Sequence, residues 1–575
     1  MSKISIRDFT ITETSEIIFE DNKISSKDIE LFVQRTAHAL LCEKIRNPVG
    51  IYLDRSPFQI IAALAALQIK IPYVYLDPSY PKGRNDYILE DCQVELIITE
   101  EKYRKTFLGK NVILIDKLEK YSSRREVDQV LNSEIGFILY TSGSTGVPKG
   151  VEIYRESLLN FIDGMSEIID FSLKKIMVSF TVSTFDIFFL ESVLSICNGF
   201  TVVLANDKEQ KNPRLMANLI QRSNADILQF TPSRLLLLYN FDPDLLCLRH
   251  VKQLLIGGEK FPLNLLQELQ EKTNAQIYNM YGPTETTIWS SVGDLTNSQY
   301  INIGRPIKNT SIYILDDRLK ELRAGEVGEI CISGKGLAKG YVHKEESTEK
   351  SFVNLGDRTR IYRTGDKGRC CEDGNIEFLG RIDNQVKIRG HRIELEEIEI
   401  TMCSFKDIIQ AVVICLNENE EKHLVGLYKC KKEIDENEFT NYLQQRLPEY
   451  MIPLRIMKVS EFSQTHNGKV DRKMITENYK LNFPVPIIKS ELSDNAVVMK
   501  VLDVIKKTMN GNGGILPNLY SKLTDLEIDS VTFVSIIVAL EKEFNVVFED
   551  EKLVFKAFNT IEDIAVYINH RKLIR

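Results

Sequence analysis

A glycine- and hydroxyl-rich string directly after a short apolar run places the strongest constraint on how this chain can fold. The run, Ile135-Gly-Phe-Ile-Leu, has the character of a buried strand. The string after it is Tyr140-Thr-Ser-Gly-Ser-Thr-Gly-Val-Pro-Lys. Its glycines let backbone N–H groups face an anion, its hydroxyls add donors and Lys149 adds charge. The Walker pattern does not fit it. We therefore expect a strand followed by a different phosphate-binding loop, the alternative being a plain turn.

The segments around this loop alternate helical patterns with short β-branched runs. Apolar runs separated by helix-length segments predict parallel sheets covered on both faces. From Ile301 to Ile332 the pattern changes to short strands joined by turns, which predicts a β-rich subdomain. The clearest strand-like runs are Val94-Glu-Leu-Ile-Ile-Thr, Asn111-Val-Ile-Leu-Ile, Thr201-Val-Val-Leu and Gln253-Leu-Leu-Ile.

The pattern predicts a large α/β core followed by a small α+β subdomain and an all-α four-helix domain. The core is expected over residues 1–380 and the small subdomain over residues 381–480. The prolines of Phe483-Pro-Val-Pro indicate an extended connector, which we place at residues 481–494. Helical periodicity then continues through residues 495–575. The chain of 575 residues has room for all of these cores.

The composition disfavours several other kinds of protein. Lys and Arg number 73 against 81 Asp and Glu, a net charge of −8, so general affinity for nucleic acid or anionic membranes is not expected. The ten cysteines are scattered without a C-x-x-C pattern, which argues against a zinc cage and for reduced thiols in an intracellular protein. The first residues lack the apolar core of a signal peptide. The apolar run from Ile60 to Leu67 is too short to span a bilayer and predicts a buried helix.

The glycine-rich string resembles the phosphate loop of the adenylate-forming superfamily, and further matches are specific to the adenylation domains of nonribosomal peptide synthetases. They occur in the family's order along nearly the whole chain. The matching segments are Leu67-Gln-Ile-Lys-Ile-Pro-Tyr-Val-Tyr-Leu-Asp-Pro, Phe185-Asp-Ile-Phe-Phe-Leu-Glu, Asn279-Met-Tyr-Gly-Pro-Thr-Glu-Thr-Thr, Gly328-Glu-Ile-Cys-Ile-Ser-Gly, Tyr362-Arg-Thr-Gly-Asp, Gly380-Arg-Ile-Asp-Asn-Gln-Val-Lys-Ile-Arg-Gly and Asn467-Gly-Lys-Val-Asp-Arg-Lys. One departure is Arg155, where the family usually has a histidine.

The resemblance implies an ATP-dependent ligase that uses Mg²⁺, with Lys469 as its catalytic residue. The ammonium of Lys469 would bridge the substrate carboxylate and the α-phosphate as pyrophosphate leaves. Glu285 would hold the metal, and Asp383 occupies the family's hinge position. The ATP-binding residues that the resemblance implies are Thr141, Ser142, Gly143, Ser144, Thr145, Gly146, Lys149, Gly258, Asn279, Tyr281, Gly282, Thr284, Asp366 and Arg381. Among these, Asp366 would accept both ribose hydroxyls, while Asn279 and Tyr281 would frame the adenine.

Asp186 indicates what is adenylated. A buried carboxylate needs a cationic partner, and amino-acid adenylation domains use such an aspartate to pair with the substrate ammonium. The alternative is a structural aspartate or one that caps a helix. The pocket wall that the resemblance implies is Asp186, Ile187, Leu190, Gln229, Leu255, Gly257, Met280, Ile288 and Trp289. These side chains leave little volume and hold no second charge, so we expect glycine, with alanine as the alternative.

The segment Leu526-Glu-Ile-Asp-Ser-Val resembles the attachment site of a peptidyl carrier domain. By this resemblance Ser530 would carry 4′-phosphopantetheine, and its position at a helix start suits a phosphodiester. The alternative is a serine that only caps the helix. The family usually has glycine at the position of Glu527 and leucine at that of Val531.

The expected function is therefore to activate a small amino acid and load it onto the chain's own carrier domain, as a cytoplasmic module of nonribosomal peptide or antibiotic biosynthesis. The expected partners are a phosphopantetheinyl transferase and a condensation or tailoring enzyme acting in trans. An acyl- or aryl-CoA ligase, a D-alanine–carrier ligase and a non-catalytic scaffold remain as alternatives. The sequence has neither a His-His-x-x-x-Asp-Gly condensation motif nor a Gly-x-Ser-x-Gly elbow.

Overall fold

The structure is a computed structural model. It describes residues 9–43, 45, 47–121, 132–143, 146–169, 175–356, 359–418, 421–463, 470–482, 496–509, 523, 528, 530–544, 546, 548, 558, 561, 563–565 and 567–568. The chain divides into two compact units, which are described separately. The first comprises Met1–Arg234, Asp244–Glu394 and Gln445–Pro448, and the second comprises Leu235–Pro243, Leu395–Gln444 and Glu449–Arg575. The predicted domain limits at residues 380, 480 and 494 remain predictions.

A seven-stranded sheet forms the first layer of the first unit. Five neighbouring strands run parallel, and two antiparallel strands close the edge that carries the glycine-rich loop. In sheet order the strands are Gly340–Tyr341, Lys149–Tyr154, Ile135–Thr141, Tyr73–Leu76, Val49–Tyr52, Leu96–Thr99 and Asn111–Leu114. The strand before the loop is thus buried inside the sheet, as its apolar sequence predicts.

A nine-stranded sheet supplies the second layer. Its central strands are parallel, and antiparallel strands lie at its ends. In sheet order the strands are Arg305–Pro306, Ser291–Asp294, Gln276–Tyr281, Gln253–Gly257, Ile227–Phe230, Ile176–Ser179, Thr201–Leu204, Glu16–Phe19 and Asn22–Ser25. The run before Gly257 and the segment before Gly282 are adjacent strands, so the ends of both strands meet at one edge of the sheet.

The predicted β-rich subdomain is a five-stranded antiparallel sheet. Arg360–Cys370 is its central strand, and the others are Thr310–Leu315, Gly328–Gly334, Phe352–Asn354 and Ile376–Arg381. A two-stranded hairpin follows, made of Val386–Ile388 and His391–Ile393, and is called the 386–393 hairpin below.

Helices pack against these sheets through apolar faces, with short turns between them. Pro57–Gln68 is the predicted buried helix, and each residue from Ile60 to Leu67 is at most 1% exposed. The other α-helices that begin in the first unit are Ser26–Cys42, Lys82–Asp91, Arg155–Met165, Ile187–Phe189, Ser195–Cys197, Asp207–Lys211, Pro213–Ser223, Pro232–Phe241, Leu263–Lys272 and Glu345–Ser351. Leu190–Leu194 is a π-helical turn that joins Ile187–Phe189 to Ser195–Cys197. The 3₁₀ turns are Glu101–Phe107, Ile115–Lys120, Leu246–Leu248 and Thr284–Thr286.

The second unit begins with a small α+β fold, as predicted. Its three strands are Ile408–Glu418, Glu421–Cys430 and Arg455–Lys458. Its helices are Leu395–Cys403, Glu436–Gln444 and Arg472–Asn482, with a 3₁₀ turn at Glu449–Met451. Arg472 ties helix to sheet, since its guanidinium donates to Glu399 and to the carbonyl of Val413.

The C-terminal part of the second unit is helical and has its own core. Ala496–Met509 and Ser530–Phe544 pack through Val501, Ile505, Phe533 and Ile537, all of which are fully buried. Two of the four expected helices are thus described; the others fall mainly on residues outside the described set. No helix among the described residues is long and apolar enough to cross a membrane.

Candidate active site

The glycine-rich loop leaves the seven-stranded sheet at Thr141 and returns to it at Lys149, which pairs with Thr141 across the ladder. Within the loop the N–H of Gly146 donates to the carbonyl of Gly143 at 3.0 Å. A Cβ atom at Gly143 would lie 2.1 Å from the carbonyl oxygen of Val147, so only glycine fits. The predicted ATP-binding residues Ser144 and Thr145 lie outside the described residues.

Lys149 points toward acidic and aromatic side chains rather than into bulk solvent. Its ammonium lies 5.5 Å from the ring centre of Tyr341. Burial lowers the pKa of Lys149, while Glu394 and Glu285 oppose that shift. A partly desolvated cation beside the loop is the arrangement that a phosphate group requires.

Three predicted nucleotide-binding residues form one network that links the nine-stranded sheet to the β-rich sheet. The hydroxyl of Tyr281 donates to one oxygen of Asp366 at 2.7 Å, and Arg381 donates to the other at 2.5 Å. Arg381 also pairs with Asp383, the predicted hinge residue, at 2.7 Å. Asp366 is only 6% exposed, and each of its oxygens keeps a second lone pair for a ligand hydroxyl.

Asn279, the other residue predicted to frame the adenine, is engaged within the protein. Its amide nitrogen donates to the carbonyl of Asn302 at 2.7 Å, and the side chain is buried. Gly282 and Gly258 occupy tight turns next to it. Gly258 has a φ of +86°, and a Cβ atom at Gly282 would lie 2.5 Å from the carbonyl oxygen of Ile288.

Glu285, the predicted metal ligand, is fully buried and pairs with Arg392. One guanidinium nitrogen of Arg392 lies 2.9 Å from each carboxylate oxygen, and the hydroxyl of Tyr341 donates to one of them at 2.8 Å. Burial alone would raise the pKa of Glu285, but Arg392 and Tyr341 hold it below its ordinary value. The carboxyl group is therefore ionised at neutral pH.

An ionised carboxylate of this kind fits Mg²⁺ that arrives with nucleotide phosphates. The described residues contain no group of three or more acidic, histidine or cysteine side chains that could hold a metal alone. Mg²⁺ commonly takes one or two protein carboxylates and completes its shell with phosphate oxygens and water. When bound, it would neutralise phosphate charge, and Glu285 would be its protein ligand.

Asp186 lies beside this carboxylate, linked through the neighbouring residue Thr284. The Thr284 hydroxyl donates to the Asp186 carboxylate at 2.7 Å. Asp186 precedes the helical turn Ile187–Phe189, yet its side chain makes no capping hydrogen bond. The capping alternative therefore fails. Burial raises the pKa of Asp186, and Thr284 and Lys387 oppose the shift, so a cationic ligand would stabilise the ionised form.

The structure brings several predicted pocket residues together. A Cβ atom at Gly257 would meet Trp289 and the side chain of Met280, each at 2.8 Å. Trp289 is 2% exposed. The remaining wall residues Ile187, Leu190, Gln229, Leu255 and Ile288 are buried as well. Among the described residues, Trp289 Nε1 and Gln229 Oε1 have no hydrogen-bond partner, so a ligand or water can satisfy them.

The turn that leads into Trp289 is strained. Thr287 and Ile288 have φ values of +64° and +70°, a region that β-branched residues rarely adopt. The Thr287 hydroxyl donates to the carbonyl of Gly336 at 2.7 Å and helps to hold this conformation. Strained turns of this kind are concentrated at ligand sites.

The 386–393 hairpin is the main feature of the site that sequence reasoning missed. The Ser142 hydroxyl donates to the carbonyl of Arg392 at 2.8 Å and accepts from the N–H of Glu394 at 3.1 Å. The His391 ring meets Phe185 edge to face, with 4.6 Å between ring centres. The family motif that begins at Gly380 ends at Gly390, and nothing in the sequence after it distinguishes Arg392 from a surface arginine.

His391 makes the stability of this region dependent on pH. Burial lowers its pKa to about 3, and Arg234, Arg389 and Arg84 add repulsion. The unfolded chain would titrate near pH ~6.5. Because the folded pKa is the lower one, the stabilisation is present above the unfolded pKa and is lost as pH falls from about 6.5 toward 3.

We expect His391→Phe to reduce the loss of thermal stability on acidification while keeping the ring contact with Phe185. Melting temperatures at pH 7.5, 6.5 and 5.5 measure the effect. The control is His250→Phe, because His250 is exposed. Parallel pH profiles for His391→Phe and the unchanged protein would contradict the assignment.

Arg155, the departure from the family pattern, has a structural role. It is 8% exposed, its guanidinium donates to the carbonyl of Leu67 and it lies 5.0 Å from the ring centre of Phe9. Arg155 thereby ties Arg155–Met165 to the buried helix Pro57–Gln68.

The last two predicted site residues are Lys469 and Ser530. Lys469, the predicted catalytic residue, is outside the described residues. Ser530, the predicted attachment residue, is the first residue of helix Ser530–Phe544.

The fold and this site define a nucleotide-dependent enzyme that is followed along the chain by a helical domain, and comparison with known proteins agrees. The model of the AMP-binding enzyme family matches residues 11–342, and that of the phosphopantetheine attachment site matches residues 514–568. The chain belongs to the AMP-binding enzymes, as an adenylation–carrier protein of the nonribosomal peptide synthetase type. Enzymes of this class use ATP and Mg²⁺, and their carrier domains bear 4′-phosphopantetheine.

Individual relatives and solved structures match most of the chain. Zwittermicin A synthase ZmaJ of Bacillus cereus is 34% identical over 479 residues, which is 80% of this chain and 91% of that protein. Holo-PA1221, an adenylation and PCP protein bound to a vinylsulfonamide inhibitor, has a TM-score of 0.81 at 22% identity, covering 96% of this chain and 94% of that one. Holo-AB3403, a four-domain synthetase bound to AMP and glycine, has a TM-score of 0.60 at 27% identity, covering 99% and 42%. The chain spans only 21%, 16% and 13% of three longer curated synthases.

Proposed function

We propose that this protein converts glycine and ATP into glycyl-adenylate and pyrophosphate, and then transfers the glycyl group to a phosphopantetheine thiol on Ser530. In the first step a carboxylate oxygen of glycine bonds to the α-phosphorus, and the bond to the β-phosphate breaks. In the second step the thiol sulfur bonds to the glycyl carbon, its proton is lost and AMP leaves. The observation that carries the proposal is the Asp186 carboxylate, which accepts a hydrogen bond from Thr284 and makes no helix cap.

Five charged side chains of the site have roles in this scheme. Asp186 binds the substrate ammonium, and Lys149 together with the glycine-rich loop binds the phosphates. Asp366 accepts the ribose hydroxyls. Lys469 stabilises the charge that develops as pyrophosphate leaves, and Glu285 holds Mg²⁺.

The proposed substrate is glycine because of the packing around Gly257. Trp289 and Met280 already lie within van der Waals distance of the place that a Cβ atom at Gly257 would occupy. Extra methylene groups in a packed site cost about 1–3 kcal/mol each, which favours glycine over larger amino acids and leaves alanine as the alternative. The glycine bound to the similar holo-AB3403 supports this choice.

The module role follows from the domain pair. The chain would supply a loaded building block to a condensation or tailoring enzyme in trans, after a phosphopantetheinyl transferase has primed Ser530. ATP and free amino acids are cytoplasmic metabolites, so the cytoplasm is the proposed compartment.

Pyrophosphate exchange with a panel of amino acids tests the proposal. We expect glycine to give the highest kcat/KM, with alanine second. The mass of the primed protein should rise by one glycyl group when ATP and glycine are added. A preference for any large amino acid would refute the pocket assignment, and exchange with none of the twenty would refute amino-acid activation.

A further inference from the structure

Glu259 links Ser233 to the 386–393 hairpin. It follows the Gly257-Gly258 turn at the end of strand Gln253–Gly257. One carboxylate oxygen accepts from the N–H of Ser233 at 3.0 Å and from its hydroxyl at 2.6 Å. The other accepts from the N–H of Gly390 at 2.7 Å. The carboxylate therefore fixes a helix start with one oxygen and the hairpin turn with the other.

The hairpin turn fits closely where Glu259 holds it. Gly390 has a φ of +81°, and a Cβ atom there would lie 2.8 Å from the methyl group of Thr231. Thr231 is two residues before Ser233, so Thr231, Ser233 and Glu259 form a small seat for the Gly390 turn. The N–H of Gly390 donates to Glu259 within this seat.

In this position the hairpin uses groups that the first half-reaction needs. Arg392 pairs with Glu285, the proposed Mg²⁺ ligand, and its backbone engages Ser142 of the phosphate loop. The Glu285 carboxylate is thus paired with a guanidinium, and the Ser142 hydroxyl is bonded to backbone groups. Neither is free in this arrangement to bind MgATP. The seated hairpin therefore suits the step after pyrophosphate has left, which is thioester formation.

We propose that Glu259 is a positioning residue for thioester formation, because it seats the 386–393 hairpin through the N–H of Gly390. This inference rests on the function proposed above. Glu259 contacts neither the phosphate loop nor Asp186 in the described structure, so it acts through the hairpin. Its loss should slow the second half-reaction and spare the first.

The variant Glu259→Gln tests this inference in the full, primed protein. Glutamine keeps the size of the side chain but removes the charge and one of the two acceptor oxygens, so the three hydrogen bonds from Ser233 and Gly390 cannot all be kept. Hydrogen bonds to charged groups are stronger than those to neutral groups, so the single-turnover rate of glycyl transfer to the thiol should fall about tenfold or more. Glycine-dependent pyrophosphate exchange should keep its kcat and KM within about twofold.

Two further variants and one direct measurement sharpen the test. Ser233→Ala removes one hydrogen bond and leaves the Gly390 contact, so thioester formation should fall less. Glu271→Gln changes an exposed glutamate in the same unit and should alter neither step. Deuterium uptake across residues 386–393 should rise in Glu259→Gln and stay unchanged in Glu271→Gln.

The outcomes separate this inference from the proposed function. Normal thioester formation in Glu259→Gln would overturn the role of Glu259 and leave the function intact. An equal loss of both half-reactions would also overturn it, since that pattern indicates a general structural role. If the unchanged protein shows no exchange with any amino acid, the proposed function itself fails.

Discussion

Asp186→Asn should strongly reduce glycine activation and leave the fold at least as stable as before. Asparagine keeps the shape of the side chain and can still accept from Thr284, but it cannot neutralise the substrate ammonium. Breaking a buried ion pair costs about 3–5 kcal/mol, so kcat/KM for glycine should fall on the order of 100-fold or more. Pyrophosphate exchange measures this loss.

The stability part of this prediction follows from the direction of the pKa shift. Burial raises the pKa of Asp186, so the protonated carboxyl group contributes stability below the unfolded pKa, and that contribution is lost as pH rises through the folded pKa. A side chain that cannot ionise does not lose this contribution as pH rises. Thermal unfolding at pH 7 should give an equal or higher melting temperature.

Asp207→Asn is the matched control, because Asp207 is exposed on a helix of the same unit. It should leave exchange unchanged. Exchange within about threefold of the unchanged protein in Asp186→Asn would exclude Asp186 as the ammonium ligand. A large drop in melting temperature would show that the carboxylate is mainly structural.

Ser530→Ala should eliminate loading completely while pyrophosphate exchange continues. Alanine lacks the oxygen that forms the phosphodiester bond, so no arm can be attached. The helix start should persist, because Phe533, Ile537 and Leu540 anchor Ser530–Phe544 in its own core. After incubation with a phosphopantetheinyl transferase and coenzyme A, intact mass should show neither the arm nor an aminoacyl group.

Ser535→Ala in the same helix is the control for this experiment and should be primed normally. An arm on Ser530→Ala would place the attachment at another residue. Loss of exchange in Ser530→Ala would contradict the division of labour between the two domains.

The sequence predicts the layers of this fold because its signals are local. The apolar run before the glycine-rich loop, the buried helix at Pro57–Gln68 and the antiparallel sheet after Ile301 follow from periodicity and turn residues in one stretch of chain. The network of Asp366, Tyr281 and Arg381 joins residues that had each been assigned to nucleotide binding from separate motifs.

What the sequence does not predict depends on distant pairing. Arg392 meets Glu285 across more than a hundred residues, and Glu259 meets Gly390 in the same way. In the sequence, Arg392 and Glu259 look the same as the many charged residues that lie on the surface. The buried role of Arg155 was equally hidden, because its partners Phe9 and Leu67 are set by the packing of a helix.

The left-handed turn at Thr287 and Ile288 has a consequence for redesign. Thr287 and Ile288 both adopt an unfavourable backbone conformation that the surrounding structure maintains. We therefore expect the backbone next to Trp289 to have this shape before any amino acid binds. Altered selectivity should then be reached by exchanging side-chain volume on an unchanged frame. Transplanting the whole turn together with its anchoring strand should carry the monomer preference into a related synthetase.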